Sequence, residues 1–100
     1  MDVQALAIFV QAQAAGSIAE AARRLRITSL TGARRLAALE EELGVRLLQR
    51  TTRSLSLTPE GEAFLPHAMA LLEADLAARE SVRRAAEGVR SEERRVGKEC

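Results

Sequence analysis

Apolar positions along this chain mark out four helices, interrupted once by an alternating stretch. Val3, Leu6, Ala7, Val10 and Ala14 follow the i, i+3, i+4, i+7 spacing of one buried helical face, with Phe9 beside it. Asp2 is placed to cap that helix, and Gly16 to end it in the left-handed conformation. Ser17 and Glu20 form an S-x-x-E capping box, so a second helix begins at once and turns Ile18, Ala21, Ala22 and Leu25 inward. Arg26 and Ile27 make a very short turn, and Thr28 caps a third helix that Gly44 terminates.

In that third helix Leu36, Leu39 and Leu43 share a stripe, and Gly32 extends it backwards. At about 100° per residue, Leu30, Arg34 and Ala37 point the opposite way, flanked by Thr31 and Ala33. The outward half is therefore small-sided and cationic. A glycine on the buried stripe implies a missing side chain, so Gly32→Val is expected to stabilise the fold. Residues 46–50 and 54–57 then alternate as two short strands around a Thr51-Thr52-Arg53 tip.

Thr58-Pro59-Glu60 opens a long helix expected to run to Glu87, with proline at its first position and a kink near Pro66. Its apolar residues divide into two stripes. Phe64, Ala68, Leu71, Ala78 and Val82 make one, and Leu65, Met69, Leu72 and Leu76 the other. One stripe has to cover the small core, and the second is read as pairing with another copy of the chain. Residues 1–58 are thus the packed domain and 59–88 a linker and dimerisation helix. Residues 89–100, charged and aperiodic, read as a disordered tail.

Charge sharpens this picture. The chain of 100 residues has a net charge of only +1, yet residues 17–58 carry eight arginines against four glutamates, a local +4. The residues before that segment sum to −1 and those after it to −2. A near-neutral total therefore conceals a basic surface, which is what a phosphate backbone meets. With no Trp or Tyr and only Phe9 and Phe64, the chain lacks the aromatic platforms used to stack single-stranded bases. No apolar run approaches the roughly 20 residues that span a bilayer, so no membrane association is expected. One cysteine gives no disulfide framework, and the chain is read as cytoplasmic.

Two helices joined by a tight turn and followed by a basic hairpin form a winged helix-turn-helix, mainly α with a three-helix core and a two-stranded β wing. Such a pair places the N-terminal part of its second helix in the major groove of duplex DNA. Arg50 and Arg53 sit where a hairpin meets phosphates or a narrow minor groove. The competing reading is a helical dimerisation module whose arginines are merely solvated. Catalysis has little support. His67 is the sole histidine, Cys100 lies at the chain end, and Glu40, Glu41 and Glu42 point different ways around a helix. No metal-ligand spacing is present, and no cofactor is expected.

The phrases FVQAQAAGSIAEAARRL and LAALEEELGVRLLQRTTRSLSLTPEGEAFL, in this order, resemble the N-terminal winged helix-turn-helix of LysR-type transcriptional regulators. The resemblance covers about Val3 to Leu72. It implies a bacterial, nucleoid-associated regulator with a recognition helix starting near Ser29, a wing around Arg53 and a linker helix that dimerises. The DNA-contacting set is then Thr28, Ser29, Leu30, Thr31, Ala33 and Arg34, with Arg50, Thr52 and Arg53 from the wing. Dimerisation falls to Leu65, Met69, Leu72 and Leu76, and a full-length protein of this kind can form tetramers. One stretch departs from the pattern. Where the family has a sequence such as Ser-Gln-Pro-Ala-Val-Ser-Arg, this chain has Thr28-Ser29-Leu30-Thr31-Gly32-Ala33-Arg34, with Gly32 replacing a branched residue and Ala33 a phosphate-binding serine. The terminal SEERRVGKEC resembles a non-native peptide, and the chain reads as a truncated frame without a small-molecule effector domain.

Overall fold

A computed structural model describes residues 1–51 and 55–91. The chain builds α1 (Val3–Ala15), α2 (Ile18–Arg24), α3 (Ser29–Leu43), the strands β1 (Leu48–Arg50) and β2 (Leu55–Leu57), and α4 (Pro59–Ser91). The local signals act where they stand. Asp2 accepts the Gln4 N–H at 3.1 Å, and Thr28 accepts that of Thr31 at 3.1 Å. Gly16 and Gly44 end their helices at φ 75° and 76°. Only half of the capping box forms, however. The Ser17 hydroxyl accepts the Glu20 N–H, whereas the Glu20 carboxylate turns outward to Arg23 and Arg24. Arg26, in the turn between α2 and α3, has the positive φ of 62° that a non-glycine residue seldom adopts.

The core forms where α1, α2, α3 and the start of α4 meet. The α3 stripe is as the spacing predicts: Gly32, Leu36 and Leu39 are buried and Leu43 packs against them. The face of α1 is not. Its buried residues are Ala5, Leu6, Ile8, Phe9 and Ala12, while Val3 and Ala14 are exposed. This helix is apolar around most of its circumference and is covered by α2, α3, α4 and β2, so one periodic stripe underdetermines what it buries.

The wing is an antiparallel pair with Leu48 opposite Leu57, Gln49 opposite Ser56 and Arg50 opposite Leu55. β1 starts two residues later than the alternation suggests, because Arg46 and Leu47 form a strap before it, and Ser54 lies outside the described residues. The Glu40 carboxylate holds this strap, accepting the Leu47 N–H at 2.8 Å and the Leu48 N–H at 3.2 Å. On its other side, the Leu47 carbonyl accepts the Thr58 N–H at 3.0 Å. The buried Thr58 hydroxyl donates to the Arg46 carbonyl at 2.6 Å and accepts the Gly61 N–H at 2.9 Å. The start of α4 is thereby fastened to the base of the wing.

From there α4 runs unbroken through Pro66 to Ser91, past the expected end at Glu87 and the expected boundary at 88. Its division into stripes needs correction. Phe64, Leu65, Ala68 and Leu72 all pack against the core, and the Phe9 and Phe64 rings lie 5.7 Å apart. Leu65 and Leu72, read as partnerless, therefore have intrachain partners. Leu71, Ala78 and Val82, read as core-facing, are exposed. The reason is the anchor at Gly61, which sets the rotation of the helix. Beyond Leu72 the core ends and the helix projects alone, giving overall dimensions of 61 × 25 × 19 Å.

Candidate DNA-binding surface

The outward face of α3 is set by its inward one. With Gly32, Leu36 and Leu39 buried, Leu30, Arg34 and Ala37 are carried to solvent, and Ser29 with them. Thr31 and Ala33 are half-buried on the flanks. The Thr28 hydroxyl is committed to the helix cap and lies 2.9 Å from the Thr31 hydroxyl, so this pair forms a closed local unit at the front of the helix.

The arginines divide into tethered and untethered groups. Arg34 is exposed and has no ion-pair partner among the described residues, whereas the adjacent Arg35 turns back to Asp2 at 2.7 Å and ties α3 to the cap of α1. The spacing of one residue, about 100° of rotation, is enough to separate a surface arginine from a structural one. Arg23 and Arg24 are held by Glu20, at 2.7 and 3.2 Å. The Arg23 guanidinium, bonded to both carboxylate oxygens, holds the Glu20 carboxyl below its ordinary range, and the carboxylate raises Arg23 in return.

Beside α3, a groove of about 190 Å³ separates its flank from the wing, with Ala33, Leu36 and Ala37 on one wall and Leu48, Arg50 and Leu55 on the other. Arg50 is exposed at the end of β1. Thr52 and Arg53 lie outside the described residues. Ser29, Leu30 and Arg34 on α3 and Arg50 on the wing are thus exposed, on the two elements that border this groove.

Glu40 is the residue whose role the sequence reading missed. Read with Glu41 and Glu42 only as one of three acids pointing different ways around a helix, it is in fact a half-buried clamp that sets where the wing leaves α3. Its signal is faint: an acid spaced seven residues before the first amide it binds. Among the described residues no cluster of His, Cys, Asp or Glu is arranged to hold a metal ion, and no helix is long and apolar enough to cross a membrane.

A three-helix core with a basic hairpin beside its third helix defines a winged helix-turn-helix protein. Residues 3–62 match the model of the bacterial regulatory helix-turn-helix proteins of the lysR family, and the chain belongs to that family. It is 44% identical over 73 residues to the HTH-type transcriptional regulator TfdS of Cupriavidus pinatubonensis, a match covering 73% of this chain and 25% of that protein. It is 47% identical over 72 residues to a probable hydrogen peroxide-inducible genes activator of Mycobacterium xenopi, covering 72% of this chain and 36% of the relative. The chain thus spans about a quarter to a third of the length of these curated relatives. Among solved structures it is similar to the CbnR DNA-binding domain in complex with DNA, with a TM-score of 0.77, 38% identity and coverage of 86% of this chain and 99% of that one. The BenM DNA-binding domain with catB site 1 DNA gives a TM-score of 0.78 at 35% identity, covering 86% and 96%.

Proposed function

We propose that this chain binds duplex DNA site-specifically as the DNA-binding part of a transcription regulator and works as a homodimer. The observation that carries the reading is the exposed set Ser29, Leu30 and Arg34, displayed opposite a fully packed stripe and beside the Arg50-bearing wing. Arg34 is the residue proposed to meet a base edge, with Thr28, Thr31 and Ala33 close to the backbone. Arg50, Thr52 and Arg53 supply phosphate or minor-groove contacts. DNA in the CbnR and BenM complexes supports this assignment, because those domains share the fold at more than a third identity.

The dimer reading rests on α4. Met69 is 51% exposed, Leu76 66% and Val82 68%, on a helix of 33 residues whose length, about 50 Å, exceeds what the core covers. Pairing with a second copy buries Met69 and Leu76, with the outer edges of Leu65 and Leu72 beside them, and spaces two recognition helices for a two-fold site. A cytoplasmic, nucleoid-associated location follows from this function.

The test is titration of the chain onto duplexes at several salt concentrations. Binding should weaken linearly in log–log form with salt, and Arg34→Ala should cost about 1–3 kcal/mol on a specific site. Salt-independent binding, or an Arg34→Ala variant that is unaffected on every duplex, removes the assignment. For the dimer, sedimentation on the order of tens of micromolar should show a two-chain species that the Met69→Glu/Leu76→Glu variant loses while remaining folded. A monomeric parent chain under those conditions refutes it.

A further inference from the structure

Leu30 is 59% exposed at the front of α3, on the same face as the exposed Arg34. A leucine so placed neither supports the fold nor helps solubility, and the packing around Gly32 and Leu36 proceeds without it. A second copy of this face is a poor occupant, since it would bring arginines against arginines. The major groove offers both partners at once: phosphates and guanine edges for the arginines, and the thymine 5-methyl group, its one apolar feature, for the leucine.

We propose that Leu30 reads a thymine through its 5-methyl group, next to the base pair contacted by Arg34. The inference rests on the DNA-binding reading above and deepens it by naming a specificity residue and the base it selects. Leu30 and Arg34 are four residues apart, so they are offset by about 40° around the helix and about 6 Å along it. That separation is less than two base steps of about 3.4 Å, which places the two contacts on adjacent or next-adjacent pairs. The closed Thr28–Thr31 hydroxyl pair stiffens the turn from which Leu30 projects. Neither threonine competes for the same base with a freely swinging hydroxyl.

The experiment selects a binding duplex for the full chain from a random-sequence pool, then replaces each thymine of the selected site by deoxyuridine, which differs only in lacking the methyl group. One replacement per half-site, within two steps of the guanine that Arg34→Ala ceases to discriminate, should weaken binding about fourfold, the worth of one buried methyl group. In the Leu30→Ala variant, which changes only an exposed side chain, the same replacement should have no effect. Equal losses in both proteins, no loss at any thymine, or a selected site without thymine there overturns the Leu30 assignment while leaving DNA binding intact. Failure to select any duplex bound with salt dependence overturns the DNA-binding reading itself.

Discussion

Two buried glycines, Gly32 in α3 and Gly61 in α4, sit on the core-facing sides of their helices, yet they face different kinds of neighbour. A methyl group at Gly61 would penetrate the Leu47 backbone carbonyl and press on the Leu57 side chain. At Gly32 it would meet only side chains, Ile8 Cδ1 at 3.1 Å and Ala22 Cβ at 3.4 Å. A side-chain terminus can rotate away at small cost, whereas a carbonyl already accepting the Thr58 N–H is fixed at both ends. The same residue type is thus a requirement in one place and an adjustable gap in the other. What decides is whether backbone or side chain stands opposite.

The largest effect should come from Gly61→Ala. Helix propensity favours alanine by about 1 kcal/mol, but the strap and the start of α4 must separate to admit the methyl group. The net loss should be about 3 kcal/mol, the upper part of the overpacking range. That corresponds to a melting temperature lower by roughly 15 °C for a domain of this size. Urea and thermal unfolding followed by circular dichroism measure it. A neutral or stabilising result would show that the contact between α4 and the Leu47 carbonyl is not rigid, and the contrast with Gly32 would collapse.

Glu40→Ala attacks the same strap from its other side. Both the Leu47 and Leu48 amides lose their acceptor, and leaving such groups unsatisfied costs about 1–3 kcal/mol. Glu40→Gln keeps an acceptor oxygen and should recover at least half of that loss. If the strap is the rigid element that makes Gly61 obligatory, Glu40→Ala should also reduce the penalty of Gly61→Ala in the double variant, because a loosened carbonyl can move. Strict additivity of the two would mean that the strap is held by Thr58 alone.

How much of this was legible in the sequence follows from range. Caps at Asp2, Ser17, Thr28 and Thr58, and the stops at Gly16 and Gly44, depend on residues within a few positions and were readable. So was the stripe of α3, where Leu36 and Leu39 contrast with charged neighbours. The buried face of α1 was not, because Ala5, Ala7, Ala12 and Ala14 differ in burial but not in chemistry. The stripes of α4 were misassigned since its rotation is fixed at Gly61 by a backbone fourteen residues earlier, at Leu47. Glu40 was missed for a related reason: its ligands are amides, which carry no residue-type signal. On the DNA-facing surface the outward turn of Leu30 and Arg34 was legible from the stripe opposite, whereas the tethering of Arg35 to Asp2 depends on how α1 lies against α3.

Gly32 offers the smallest effect and the finest test. The sequence suggested a missing branched side chain, to be restored by valine, but the space is already occupied by Ile8 and Ala22. Gly32→Val should therefore destabilise by about 1 kcal/mol, as its extra γ-methyl groups press into a packed core. Gly32→Ala adds only the β-carbon. Its helix propensity gain of about 1 kcal/mol is partly offset by moving the Ile8 δ-methyl a few tenths of an ångström, leaving a net stabilisation of about 0.5 kcal/mol. Ile8→Val, which by itself should cost about 1 kcal/mol, removes the carbon that stands in the way. In that background Gly32→Ala should deliver its full gain, and the difference between the two backgrounds, read from urea midpoints, is the contact energy itself. An equal gain in both would mean that the δ-methyl does not oppose the new side chain, and that some other constraint brought glycine into the middle of this helix.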